Sequence, residues 1–357
     1  MHVSGKIREC FESAFPNDVV VRIETSVDNL RVATALQKIA TLEIPELVPQ
    51  VYAIGKGSTA SGKNFEYTVM EYVSNTEVLE TVWPDLPDIE KSRLAGEVVQ
   101  AVKRLQKVRF DDARVQDLFE KAPYQINDEL KAIGGPRNGY FQSLYDFLHK
   151  FVADHQMKTA IISTIEHTTE GIKITSVQDQ STSFTFSHAG LAIISATTAL
   201  SHNDLEPRNI LVRRLPSNDA DSEPDYKLAA IIDWEMAGFM PFVFESAWKD
   251  GGLGSSSVFS DWYQSFKQQT HGLVPRDNCF QRLLSALHMV IELKRESMSR
   301  NVNAEVCRRW RAREGIEWAA DFGGTVMEGW TVKRPRKFSK EVLEEIEMQV
   351  LRDFGML

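Results

Sequence analysis

Residues Ser201–Val212 read SHNDLEPRNILV. A histidine, two acids, an arginine and an asparagine crowd the mouth of an apolar run that has the character of a buried strand. One reading is a polar turn before a strand. The other is a loop that carries chemistry. The stretch IIDWEMAGFMP (231–241) follows about one hairpin later and ends a second apolar run, LAAII, in Asp233. The two runs form an expected strand pair, NILVRR and KLAAIIDW, joined by the acidic, proline-bearing loop LPSNDADSEPDY.

The types and spacing of these residues suit phosphoryl transfer. Such a reaction needs a carboxylate to orient an acceptor hydroxyl and take its proton, and Asp204 can do both. It also needs oxygen ligands for magnesium, and the amide of Asn209 and the carboxylate of Asp233 are suitable. Five residues from Asp204 to Asn209 leave room for one tight loop, and the hairpin brings Asp233 back beside Asn209. H-x-D alone is a weak signal. H-x-D-x-x-x-x-N entering a strand, with a second strand ending in Asp, is a specific one.

The surrounding chain has 357 residues, 43% hydrophobic and 25% charged, enough for two average domains or one two-lobed domain with a sizeable core. The net charge is −9 and the pI near 5.5. Its basic pairs, Lys294-Arg295, Arg308-Arg309 and the run Lys333 to Lys337, have acids near most of them, so no nucleic-acid partner is expected. Cys10, Cys279 and Cys307 are scattered and odd in number, which implies neither a disulfide framework nor a zinc cluster. No apolar run nears the roughly 20 residues that span a bilayer, and MHVSGKIREC lacks the apolar core of a secretory leader. The expectation is a soluble, cytoplasmic protein without a membrane partner; oligomeric state is not legible.

Periodicity gives a coarse plan. NDVVVRIE, VPQVYAIG and FEYTVMEYV read as strands, with the helix DNLRVATALQKIATLE between the first two, capped by Ser26 or Asp28. SGKN (61–64) is a turn. IEKSRLAGEVVQAVKRLQKV, YFQSLYDFLHKFVADH, HMVIELKRESMSR and SKEVLEEIEMQVLRDF read as helices. A strand-rich N-terminal lobe thus precedes a larger, mostly helical one with the strand pair inserted.

SHNDLEPRNILV together with IIDWEMAGFMP resembles the aminoglycoside phosphotransferase and choline kinase-like family, in particular its fungal-type members, with their H-G-D-x-x-x-x-N loop and D-W-E-x-A-G segment. The resemblance is strongest from Ser201 to about Glu245 and fair in VPQVYAIG and YTVMEYV. It implies a bilobal, protein-kinase-like α+β fold, with a nucleotide-binding lobe over 1–73 and a helical lobe over 74–357. The latter would hold the catalytic loop 201–212 and the metal-binding segment 231–238. It implies ATP and Mg²⁺, and transfer of the γ-phosphate to a hydroxyl of a small molecule. Carried over, Asp204 is the catalytic base, with His202 buttressing the loop. Asn209 and Asp233 hold Mg²⁺, and Met70, Glu71 and Tyr72 lie against adenine.

The sequence departs from the family in three places. Asn203 replaces the frequent glycine. Arg22 stands where the phosphate-binding lysine is expected, and the helix after it has Arg31 near the place of the paired glutamate. HVSGK (2–6) offers too little for a glycine-rich loop, so the N-terminal lobe reads as shortened. The alternative is therefore a catalytically weak or inactive kinase-like binding protein. A metal-dependent hydrolase using His202, Asp204 and Asp233 is a third reading. A protein kinase is disfavoured, since DWE stands for D-F-G and no A-P-E segment follows.

Three further features carry lesser expectations. Asp219, Asp221, Glu223 and Asp225 suit a solvated loop. Trp262, Tyr263 and Phe266 are candidates for an acceptor pocket or, at helical spacing, for core, as are Trp310 and Trp318. Trp234 and Glu235 would shape the site and Glu245 anchor the segment after it.

Overall fold

A computed structural model describes residues 18–24, 29–121, 133–135, 139–158, 160–216, 225–253, 259–297, 302, 305–306, 308–309, 313, 319–320, 326–327 and 340–357. HVSGK, Ser26, Asp28, the acids Asp219, Asp221 and Glu223, Trp310, Trp318, Cys10, Cys307 and Lys333 to Lys337 lie outside these residues.

The chain begins with β1 (Val19–Glu24), α1 (Asn29–Ala40), β2 (Val51–Ser58) and β3 (Asn64–Glu71). The three strands form an antiparallel sheet in the order β1-β3-β2. The SGKN turn closes the β2–β3 hairpin, with the Thr59 N–H donating to Lys63 O at 2.8 Å. Helix α1 buries Leu30, Ala33, Leu36, Ile39 and Ala40, an apolar stripe at helical spacing. The Thr34 hydroxyl meets that of Thr68 on β3 at 3.0 Å, so Thr68 faces α1. Arg22 is the register partner of Thr68, and Glu24 of Glu66. Cross-strand partners share a face of the sheet, which places Arg22 and Glu24 on the α1 side.

Next come β4 (Glu77–Val78), α2 (Asp88–Leu105), α3 (Ala113–Lys121), β5 (Ile133–Gly135) and β6 (Gly139–Phe141). In α2, Leu94, Val98, Val102 and Leu105 are buried as the helical stripe requires. Its first turn carries Asp88 and Glu90 and its last Lys103 and Arg104, which suits the helix dipole.

Helix α4 (Leu144–Asp154) starts at Ser143, whose hydroxyl accepts from the Asp146 N–H at 3.1 Å. It leads into β7 (Ser163–Thr168), β8 (Gly171–Ser176), β9 (Ser183–Ser187) and α5 (His188–Ser195). These three strands form an antiparallel meander, β7-β8-β9. The sequence reading assigns no element to these strands. The strands alternate Ser and Thr with Ile172, Ile174 and Phe186, which are buried, so their apolar signal is thin and one-sided.

The chain continues through β10 (Ala199–Ser201), β11 (Ile210–Arg214), β12 (Tyr226–Ile231), β13 (Gly238–Met240), α6 (Phe242–Leu253), α7 (Ser260–Thr270), α8 (Asn278–Ser297) and α9 (Lys340–Asp353). β11 and β12 pair antiparallel as their sequences imply, and β4 adds to the free side of β11. β13 lies against β5 and beside β10. The fold class is α+β: small antiparallel sheets and separate helices.

Two compact units emerge. One contains Met1–Tyr140 with Ala199–Phe239, the other Phe141–Thr198 with Met240–Leu357. The second has its own core, in which Phe147 meets Phe244 edge-on at 4.9 Å, and Phe280, Leu283, Leu287 and Val290 of α8 are buried. Among the described residues no helix is long and apolar enough to cross a membrane.

Candidate active site

All the polar residues singled out in SHNDLEPRNILV and IIDWE fall in the first unit. Between β10 and β11 the chain makes a short 3₁₀ turn, Pro207–Asn209. Proline suits its first position because φ is already set and no N–H is needed. The Asn209 N–H donates to Glu206 O at 2.9 Å, and the Ile232 N–H donates to Asn209 O at 2.9 Å. This last bond ties the loop to the end of the second strand, one residue before Asp233.

Asn209 is buried, and its amide nitrogen donates to both the backbone oxygen and Oδ2 of Asp204 at 2.8 Å. The amide is thereby fixed in orientation, with Oδ1 as its remaining oxygen. The Asp204 side chain is 16% exposed, held at one edge and open at another.

His202 is fully buried. Its Nδ1 accepts from the Asp204 N–H at 3.2 Å, so Nε2 carries the proton and donates to Ile232 O at 3.0 Å. The ring stands edge-on to Trp234, with centroids 4.6 Å apart. With both nitrogens committed, His202 cannot ligate a metal as the loop stands. Among the described residues no three His, Cys, Asp or Glu side chains gather into a metal-binding group. The hydrolase reading, which needed His202 as a ligand, is therefore set aside.

Asn203 has φ +63°. This is left-handed backbone, which asparagine tolerates better than most side chains. The amide of Asn203 also donates to Met236 O at 3.0 Å, a bond that glycine could not make. Asp233 has the same φ, +63°. Trp234 is buried, and its Nε1–H donates to Ile231 O at 3.1 Å. The motif glycine Gly238 is required by close packing, since a Cβ there would lie 2.2 Å from Gly134 O.

Arg22 reaches the loop from β1, within the same unit. Its Nη1 donates to Asp233 Oδ1 at 2.8 Å, its Nε to Glu24 Oε1 at 2.7 Å, and its Nη2 to Glu235. Burial works against the guanidinium charge, but the bond to Asp233 and the surrounding carboxylates outweigh it and raise the pKa. The acidic partners of Arg22 thus lie on the loop and on its own strand. Arg31 of α1 in turn meets the buried Glu66 of β3 at 2.7 Å, a pair with the expected charges reversed. Here the helix supplies the cation and the strand the anion.

Arg208 lies at the surface, its side chain 55% exposed. Its Nη2 lies 3.4 Å from both carboxylate oxygens of Asp204, and its Nη1 lies 3.0 Å from Glu206. The i, i+4 spacing of Asp204 and Arg208 was the available signal. The segment Met70 to Tyr72 ends β3. The Glu71 N–H donates to Gln50 O at 2.8 Å and the Tyr72 N–H to Asp18 O at 3.3 Å, while the Tyr72 side chain is 51% exposed.

In the second unit, Trp262, Tyr263 and Phe266 are almost fully buried, which is core packing and not a pocket wall. Glu245 is also buried there. Asp250 accepts from Lys267 Nζ at 2.7 Å, His288 Nε2 at 2.9 Å and the Tyr263 hydroxyl.

No family model matches the chain, and no curated protein does. Among solved structures the chain is similar to a GDP complex of an aminoglycoside 2′-phosphotransferase mutant, at 15% identity and a TM-score of 0.39, over 95% of this chain and 87% of that one. It is also similar to a microcompartment-associated aminopropanol kinase, at 13% identity and a TM-score of 0.39, over 84% of this chain and 88% of that one. At such identities no residue roles carry across, so the functional reading rests on the site's own geometry.

Proposed function

We propose that the chain is an ATP-dependent phosphotransferase that moves the γ-phosphate to a hydroxyl of a small molecule in the cytoplasm. The observation that carries this reading is the use of Asn209. Its nitrogen is spent twice on Asp204, which leaves its oxygen for a cation, and its backbone is bonded to the residue before Asp233.

The donor set fits magnesium: an amide oxygen and a carboxylate are hard ligands, and magnesium keeps several waters, so two protein ligands suffice. Asn209 and Asp233 would hold it, and when bound it neutralises phosphate charge. Asp204 orients the acceptor hydroxyl and takes its proton as the oxygen bonds to the γ-phosphorus. The bond from phosphorus to the bridging oxygen breaks, and ADP leaves. His202 positions Asp204 through the backbone N–H that it accepts. Arg22 offers a guanidinium to nucleotide phosphate. In this reading 1–73 is the nucleotide lobe and 74–357 the helical lobe. Adenine rests near Met70, Glu71 and Tyr72, where two of the N–H groups are already bonded, so the contacts fall to carbonyls and side chains.

One observation favours the alternative, a binding protein that transfers nothing: Arg22 sits on Asp233, the residue the cation requires. A thermal-shift titration with ATP and MgCl₂ tests nucleotide binding, since a ligand for the native state raises its apparent stability. No shift at millimolar ATP overturns the phosphotransferase reading. Where a shift is seen, ADP formation over a library of hydroxyl metabolites separates transfer from mere binding and finds the acceptor.

A further inference from the structure

Arg22 and its neighbours form a denser charge cluster than a phosphate contact needs. Its three donating nitrogens go to three different carboxylates, those of Asp233, Glu24 and Glu235. Asp233 and Glu235 flank Trp234, which is buried and bonded to Ile231, so the two acids are held on a fixed turn. A planar fork can span both; a lysine ammonium is a point charge and cannot do so in the same way. The four side chains together carry a net charge of −2. A nucleotide polyphosphate is repelled by such a cluster and a divalent cation is attracted to it. Yet the carboxylate a cation would use is already bonded to a permanent cation.

We propose that Arg22 and a divalent cation compete for Asp233, and that nucleotide phosphate resolves the competition by taking the guanidinium. The inference rests on the reading of Asp233 as a metal ligand given above. Without nucleotide, the cation must displace Arg22 and binds weakly. With nucleotide, the guanidinium moves from carboxylate to phosphate, Asp233 is freed, and the cation binds in its place. Cation and nucleotide then strengthen each other's binding by the same factor, as linkage demands. Arg22 thereby sets how strictly the site requires both.

The test is Mn²⁺ binding to the full chain by calorimetry, with MnCl₂ alone and again with saturating ADP, for wild type, Arg22→Gln and Arg22→Lys. Without ADP, Arg22→Gln is expected to bind Mn²⁺ about five- to tenfold more tightly than wild type, with Arg22→Lys in between. With ADP the difference shrinks toward none. ADP without metal binds more weakly to Arg22→Gln. Equal Mn²⁺ affinity in all three proteins without ADP overturns the proposal. Should Arg22→Gln fail to melt cooperatively, Arg22→Lys decides alone: tighter Mn²⁺ binding than wild type supports the competition, and equal binding overturns it. Failure of ADP to bind wild type with or without Mn²⁺ overturns the phosphotransferase reading instead, and the metal-only comparison still decides the competition at Asp233.

Discussion

Two places in the molecule bring an aspartate, a histidine and a basic residue together, and they differ in what they leave unused. In the loop after β10, Asp204 takes an amide and an arginine at one edge and stays 16% exposed. In the second unit, Asp250 is 1% exposed and takes a lysine, a histidine and a tyrosine. The first aspartate is oriented and still accessible. The second has its charge consumed by neighbours. Similar residue types leave an accessible carboxylate in one setting and an internal tie in the other, and burial of the carboxylate distinguishes them.

Substitution should divide the two sharply. Asp204→Ala is expected to lower kcat by about 10²- to 10⁴-fold, the range typical of losing a general base, while ATP still raises the melting temperature. A variant with full activity removes Asp204 from that role. Asp250→Ala is expected to cost about 3–5 kcal/mol in denaturant unfolding, because it strands Lys267 with its charge in a largely buried place. A loss under 1 kcal/mol would mean that the network is replaceable.

The same contrast has a pH signature. Burial pushes the Asp250 carboxyl up, but the charge of Lys267 and the bond from His288 outweigh it, and its pKa falls below the usual aspartate value. A depressed carboxylate pKa stabilises the fold above the unfolded value and loses that stabilisation as pH falls through the folded one. Acid unfolding of the wild type should therefore include a component below about pH 4 that Asp250→Asn lacks.

The smaller effects lie in the loop's scaffold. His202→Ala removes a buried ring and two hydrogen bonds, with an expected loss of about 2–4 kcal/mol. Its slower turnover should appear in kcat more than in KM if His202 serves only to place Asp204. Asn203→Ala, at φ +63°, should cost about 1–2 kcal/mol, and Asn203→Gly less, since glycine relieves the backbone while losing the bond to Met236. Equal losses for the two would remove backbone strain as the reason for the residue.

The sequence was most readable where chemistry and local structure coincide. His202, Asp204 and Asn209 sit within one turn, and the strands on either side are apolar, so the strand–loop–strand unit could be seen without coordinates. The helices α1, α2, α4 and α9 and the second half of α8 followed from apolar spacing. The β7-β8-β9 meander was hidden because its strands mix Ser, Thr and charged residues, some of the serines are themselves buried, and apolar residues are few. The bond from Arg22 to Asp233 was hidden for another reason. It joins residues 211 apart, and no local pattern encodes which acid a distant arginine will meet. Arg31 was noticed as an anomaly, but its partner Glu66 lies on a strand whose alternation gave no hint of a buried charge.

That reversed pair also bears on time. Helix α1 is pinned to β3 by Arg31 and Glu66 and by Thr34 and Thr68, all buried or nearly so, and β1 is held to β3 along six residues of register. The strand that carries Arg22 is thus paired along its length to a strand that is itself tied to the helix. The exchange proposed for its guanidinium is a rotation about side-chain bonds, an event of picoseconds to nanoseconds once its partners let go, whereas lid and domain motions take microseconds or longer. Arrival of nucleotide, and not reorganisation of the strand, would set its clock.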